Sequence, residues 1–481
     1  MSEYKLFVQR IGLVGITNIL VGLSSIILLP ILTKSLTITD YGIWSLFNST
    51  FVFIPLLINL GLPYTMVRFL AVKNDKEEIK EEFYSITLLL SLLGIIAFVL
   101  MFLISKPLAV ILFNGNVAVS QLLAVGVLIA VISSSFFSFF RTFQQMKLYS
   151  ILLLVQTYFG MIIVTLLVLY GYSIAGAVLG YVISQFIIMV LSGALVVRQI
   201  GFKFPKFENI REYLSFGIPT VPGNLSNWLV DQSDRVIIGI FLGSAFVGYY
   251  SPSYTICSVI LMLMAPFSLL LTPLLSSYYD RNEIEEVKIH LNYSLKYFML
   301  LAIPTVFGLS ILSKPVLTVL STSQIAQNSY LITPFVAVSL FLVGIYGITS
   351  QILVLEKKTK IIGSLWMISA AINVVLNIIF VPHFGIVAAA ISTLAAYGFV
   401  FAVSLFYSQK YIEVKFEWAF ILKCIFASIL MSIAIIIINP VSFIGILVTI
   451  GIGTVIYMVI VFLLKGISST EIEFFKKMVR G

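Results

Sequence analysis

The chain has 481 residues, 60% of them hydrophobic and only 10% charged, with a formal net charge of +9. Soluble domains carry about 25% charged residues, so this composition excludes a water-soluble globular protein and points to an all-α integral membrane protein. The positive balance alone would suit nucleic acid, but the placement of the basic residues along the chain excludes that reading.

A short charged segment, Met1–Arg10, runs into a long apolar stretch without a small-residue cleavage site, which reads as an uncleaved first helix. A membrane-spanning helix needs about 20 apolar residues. On that measure fourteen spans are expected, at 11–33, 41–70, 83–104, 118–140, 148–170, 174–197, 213–242, 246–275, 292–312, 328–354, 361–381, 385–409, 418–438 and 441–464. With the N-terminus inside, 24 of the 29 Lys and Arg residues fall on the cytoplasmic side. The opposite side keeps Lys34, Lys106 and Lys314, while Arg68 closes the second span and Arg235 lies within the seventh. This asymmetry predicts a multi-pass protein of the cell membrane with both termini cytoplasmic, and it accounts for the net charge.

Three short segments recur in order. Ser105-Lys106-Pro107 returns at Ser313-Lys314-Pro315, Asp40–Trp44 aligns with Phe246–Tyr250, and Ser173–Ala177 aligns with Gly385–Ala389. The offsets of 208, 206 and 212 residues predict two homologous six-helix lobes, 1–206 and 207–411. Six is even, so the lobes would be related by an axis along the membrane normal. Residues 412–481 add two further spans and a tail with no assigned role. Prolines gather in spans 1, 2, 7 and 8 (Pro30, Pro55, Pro63, Pro219, Pro222, Pro252, Pro266 and Pro273), where they are either tolerated kinks or hinges.

No catalytic constellation is present: there is no phosphate-binding Gly-Lys-Ser/Thr loop, and the connecting loops are short. Cys257 and Cys424 lie in apolar segments and read as small core residues, and His290 and His383 stand alone at span ends. No enzyme, metal site or resident cofactor is therefore expected. The chemistry concentrates in the seventh span, where Asp231, Asp234 and Arg235 share one helical region with Asn224, Asn227 and Gln232. Charge in hydrocarbon costs at least a few kcal/mol, so it is paired or faces a cavity. Two readings follow. The cluster is either an internal ion pair that locks helices together, or a site in which Arg235 attracts an anionic headgroup while Asp231 or Asp234 binds a proton or cation. Arg68 and Lys34 likewise read as anchors or as parts of a cationic path. Asn373 and Asn377, one turn apart, predict an interhelical hydrogen bond.

Leu214–Pro219, Asp234-Arg235, Gly239 and Val247–Tyr250 resemble the seventh-to-eighth span signature of polysaccharide-biosynthesis flippases of the multidrug/oligosaccharidyl-lipid/polysaccharide exporter superfamily. Leu29–Thr33 with Asp40-Tyr41-Gly42, and Gly61-Leu62 through Val67–Phe69, resemble that family's opening and second-span ending. The resemblance implies two six-helix lobes in a V around a cavity. It implies a substrate of oligosaccharide joined through phosphate or diphosphate to a polyprenol, moved from the cytoplasmic to the outer leaflet. Arg235, Arg68, Lys34, Asn224 and Asn227 are then the headgroup candidates, and Asp231 and Asp234 the ion-coupling or ion-pair candidates, with a proton or sodium ion as the coupling species. Asp234, Arg235 and Arg68 follow from the motif; Asp231 and Lys34 rest on physical chemistry alone. Membrane lipids, and glycosyltransferases or a polymerase, are the partners such a role implies. The competing readings are a cation-coupled multidrug exporter of the same fold and a membrane scaffold that transports nothing.

Overall fold

The computed structural model describes residues 3–466; the tail beyond, which holds Lys476, Lys477 and Arg480, lies outside the described residues. All regular structure described is helical, as the bilayer requires of a chain whose backbone polar groups must be satisfied within each segment. The N-terminal run is α1 (Glu3–Ser35), α2 (Ile38–Ile58), α3 (Leu62–Phe69), α4 (Lys76–Leu103), α5 (Ser105–Leu112), α6 (Val117–Thr142), α7 (Met146–Leu169) and α8 (Ser173–Ile200). Then come α9 (Ile210–Gly217), a 3-10 turn at Ile218–Thr220, α10 (Val221–Leu242), α11 (Ser244–Cys257), α12 (Val259–Asp280), α13 (Ile284–Ile311) and α14 (Ser313–Leu320). The chain continues with α15 (Ser323–Ser329), α16 (Ile332–Thr349), α17 (Gln351–Leu355), α18 (Thr359–Phe384), α19 (Ile386–Ser408), α20 (Trp418–Ile438) and α21 (Phe443–Leu463). Side-chain caps fix several starts: Thr37 accepts from the Asp40 N–H, Asp75 from Glu77 and Asn116 from Val119.

Thirteen helices among the described residues are long and apolar enough to cross a membrane. The expected span not among them is the seventh. Its helix, α10, has 22 residues and so reaches about 33 Å, but its polar cluster lowers its apolar content. Four expected spans are also broken rather than continuous. The second divides at Asn59–Gly61, the seventh at the Ile218–Thr220 turn, the eighth at Ser258 and the tenth at Ser350, between α16 and α17. Prolines flank the first two breaks, Pro55 and Pro63 at one and Pro219 and Pro222 at the other, and remove N–H donors there. At the first break Gly61 has φ +72° and packs so closely that a Cβ would lie 2.2 Å from the Gly217 carbonyl oxygen.

A 28-residue helix followed by an eight-residue helix occurs as α4–α5 and again as α13–α14. Repeat-related residues also meet each other. A Cβ on Gly42 would lie 1.7 Å from the Ser244 carbonyl oxygen, and one on Gly248 would lie 2.2 Å from that of Ile38. Ser45 Oγ and Ser251 Oγ, 206 residues apart, share a hydrogen bond of 2.6 Å. The start of α2 and the start of α11 therefore cross about a local two-fold relation that only glycine permits.

The chain forms two compact units. The first comprises Met1–Ser251 and Trp366–Ala396, and holds α1–α10 with parts of α11, α18 and α19. In it the linker after α8 is strapped to the start of α4: Lys203 pairs with Glu81 at 3.1 Å, Asn209 donates to Glu82 at 2.8 Å, and Tyr84 donates to the Gly201 carbonyl at 2.6 Å. Lys73 joins the same cluster through Glu78 and Glu82. Burial would lower its pKa, but hydrogen bonds to the two carboxylates outweigh that and hold it above the ordinary lysine value. The second unit comprises Pro252–Leu365 and Tyr397–Gly481. There α20 and α21 pack beside α13, with Tyr457 donating to the Leu300 carbonyl at 2.8 Å and Lys296 paired to Glu417 at 3.3 Å. Cys257 and Cys424 are buried free thiols of this unit.

Candidate functional site

The site grows from α10. Residues at i, i+3 and i+7 share a helix face, so Asn224, Asn227 and Asp231 form one stripe along its first half. Asn224 and Asn227 are exposed and Asp231 is half-buried, a polar, accessible face on a helix of membrane-spanning length.

Behind the stripe the next turn is closed. Asp234 is fully buried and Arg235 is 7% exposed. Arg235 Nη1 donates to the Asp231 carbonyl and to Gln232 Oε1, both at 2.8 Å, and lies 3.6 Å from Asp234 Oδ1. That same oxygen accepts the Arg235 backbone N–H at 2.8 Å, and Asp234 Oδ2 accepts from the Tyr250 hydroxyl of α11. The carboxylate and guanidinium thus neutralise one another where neither reaches bulk water, and each is further satisfied by hydrogen bonds, the condition under which a buried ion pair is tolerated.

Three neighbours hold α10 in place. Toward α2, Gln232 Oε1 accepts from Ser49 at 3.0 Å and Trp228 Nε1 donates to the Ser49 carbonyl at 3.1 Å, with the indole 4.2 Å from the Phe53 ring. Toward α11 the tie is Tyr250–Asp234. Toward α18, Ser233 donates to Asn373 Oδ1 at 3.1 Å. Asn373 Nδ2 then reaches Thr393 of α19 at 3.3 Å, and Asn377 Nδ2 donates to Asn373 Oδ1 at 3.1 Å. The bond between the two asparagines therefore runs along α18, and the interhelical bonds go to Ser233 and Thr393. Asn377 Oδ1 is buried without a hydrogen-bond partner. Among the described residues no group of three or more His, Cys, Asp or Glu side chains is placed to hold a metal ion.

The remaining cationic candidates stand elsewhere. Lys34 is exposed in the last turn of α1, and Arg68 is exposed in the last turn of α3. The 21 residues of α2 separate them, about 30 Å of helix, and Arg235 lies partway along α10. The three cations therefore occupy three depths rather than one pocket. Ser49, Trp228, Ser233 and Thr393 escaped the sequence analysis because lone hydroxyls and a tryptophan in apolar helices carry no spacing signal; only packing reveals whom they touch.

Residues 7–279 match the family described as polysaccharide biosynthesis protein, and residues 219–379 match the MatE family. The chain is 24% identical over 297 residues to the probable low-salt glycan biosynthesis flippase Agl15 of Haloferax volcanii, covering 61% of this chain and 62% of that one. It is 26% identical over 178 residues to the probable flippase AglR of the same organism, covering 36% of each. The alignments thus span less than two thirds of either relative. Among solved structures, a lipid II flippase MurJ in an inward closed conformation superposes with a TM-score of 0.76 at 17% identity, over 92% of this chain and 97% of that one. An inward-facing multidrug resistance MATE family transporter of the MOP superfamily gives 0.70 at 15% identity, over 81% and 94%. At such identities the likeness carries the fold alone.

Proposed function

The chain belongs to the polysaccharide biosynthesis protein family, with the fold of the multidrug/oligosaccharidyl-lipid/polysaccharide exporter superfamily, and on that footing we propose that it is a flippase for polyprenyl-(pyro)phosphate-linked oligosaccharide. It moves this substrate from the cytoplasmic to the outer leaflet of the cell membrane for surface glycan assembly, and needs no bond-making chemistry of its own. The observation that carries the reading is the accessible stripe Asn224–Asn227–Asp231 on α10, a helix long enough to reach across a membrane. A hydrated sugar headgroup needs such a face to replace its water hydrogen bonds. Asn224 and Asn227 offer both donors and acceptors to sugar hydroxyls, and the buried Asp234–Arg235 pair holds the helix that presents them. Arg68 and Lys34 serve the diphosphate at the entry and exit ends.

The coupling ion is a small monovalent cation held among α10, α18 and α19. The orphaned Asn377 Oδ1 supports this, because an unsatisfied buried carbonyl oxygen costs about 1–3 kcal/mol and a cation would satisfy it. Asn373 and Thr393, joined by a hydrogen bond of 3.3 Å, belong to the same buried polar network. Glycosyltransferases or a polymerase act beside the protein in this scheme.

The test is a strain lacking the protein. Loss of surface glycan with lipid-linked oligosaccharide trapped in the inner leaflet is the expected result; normal export without trapping would sink the proposal. Replacing sodium by choline at constant pH should slow export, and export indifferent to both that replacement and Asn377→Leu would remove the ion assignment. Efflux of organic cations from vesicles would favour the multidrug reading instead.

A further inference from the structure

Most cations where α4 meets the 201–209 linker are engaged by carboxylates: Lys73, Lys80, Lys203 and Lys206 all pair with Glu77, Glu78, Glu81 or Glu82. A second group at the same end is different. Arg10, Arg141 and Lys147 make no ion pair among the described residues. They gather where the start of α1 meets the turn between α6 and α7, all within the first unit.

That place is a built groove of about 570 Å³, whose lining combines the polar Arg10, Gln144 and Lys147 with the apolar Leu13, Met146 and Ile151. Arg10 is fixed rather than loose, since its Nη1 donates to Gln144 Oε1 at 2.5 Å. Gln144 itself takes a left-handed backbone, φ 53°, a conformation that a residue with a Cβ adopts at some cost in strain. The apolar wall continues along the outer faces of both helices through Ile16, 60% exposed, and Ile151 and Val155, 47% and 41% exposed.

We propose that this groove binds the headgroup of an anionic phospholipid. The phosphate lies between Arg10 and Lys147, the Gln144 amide donates to a headgroup oxygen, and an acyl chain descends the α1–α7 face. Charge complementarity selects an anion, because two cations within one groove lack any carboxylate. The apolar wall selects a lipid over a free phosphate, which would leave Leu13, Met146 and Ile151 uncovered. This site is separate from the α10 cluster, and the proposal does not depend on the transport reading.

The full-length protein, purified and titrated with phosphatidylglycerol or phosphatidylcholine, tests it by native mass spectrometry and thermal unfolding. Phosphatidylglycerol should stay bound and raise the melting temperature while phosphatidylcholine does neither. A basic residue near the surface contributes about 1 kcal/mol, so Arg10→Gln and Lys147→Gln should each weaken phosphatidylglycerol binding about fivefold, and the pair about 25-fold. Lys106→Gln, at the other end of the spans, should leave it unchanged. Equal retention of the two lipids by the wild-type protein would overturn the proposal without recourse to any variant. So would undiminished binding by the double variant, or equal stabilisation by water-soluble glycerol phosphate.

Discussion

Arg235 and Asp234 divide the two readings of the seventh span. Both are buried and answered within the protein, so removing one strands the other. Arg235→Ala should lower stability by about 3–5 kcal/mol, seen as lost membrane abundance and a lower melting temperature in detergent. Tyr250→Phe deprives Asp234 Oδ2 of the hydroxyl that donates to it and should cost about 1–3 kcal/mol. If Arg235→Ala left abundance and melting unchanged while abolishing export, the guanidinium would be a substrate contact and not a lock. The stripe residues should behave in the opposite way. Asn224 and Asn227 are exposed, so replacing both with Ala should shift stability by no more than about 0.5 kcal/mol each while glycan export falls several-fold at normal abundance. Full export by that double variant would remove the stripe from the substrate path.

At the scale of elements, the crossing of α2 and α11 is fixed by backbone contact rather than by side chains. Gly42→Ala would drive a methyl to 1.7 Å from the Ser244 carbonyl oxygen, and backbone cannot step aside as a flexible side chain can. The expected outcome is a protein that melts at least several degrees lower and loses export, and Gly248→Ala should do the same, since its Cβ would meet the Ile38 carbonyl oxygen at 2.2 Å. Gly223→Ala is the matched control: nothing lies within 4 Å of its added methyl, and alanine is the better helix former by about 1 kcal/mol. Its melting temperature should hold or rise. Melting curves of the three variants side by side decide the matter, and a Gly42→Ala protein as stable as the control would mean that the helices do not cross so closely.

Over the whole molecule, the distribution of basic residues makes a topological prediction. Cysteines introduced at Lys106 and at Lys147 in a background lacking Cys257 and Cys424 should label with a membrane-impermeant thiol reagent from opposite sides of the membrane. Labelling of Lys147→Cys from outside intact cells would reverse the orientation. Composition, spacing and charge made the helical membrane fold legible, since a bilayer accepts only apolar runs of sufficient length and sorts Lys and Arg by side. They also singled out α10, because a cluster of charge in hydrocarbon needs an explanation from the sequence alone. What they could not supply is which partner each polar group takes. Asp234 finds Tyr250 sixteen residues on, Gln232 finds Ser49, and Ser233 finds Asn373. A hydrogen bond requires two atoms within about 3 Å, and residues 140 or 183 apart in the chain reach that distance only when helices pack. The sequence by itself thus determined that the chain is a many-span helical protein with a cluster of charge in its seventh apolar stretch. Tertiary structure alone decided that Asp234 and Arg235 face inward, that Asn224 and Asn227 face outward, and that Lys34 and Arg68 lie a membrane's width apart, because burial is a property of neighbours and not of residues.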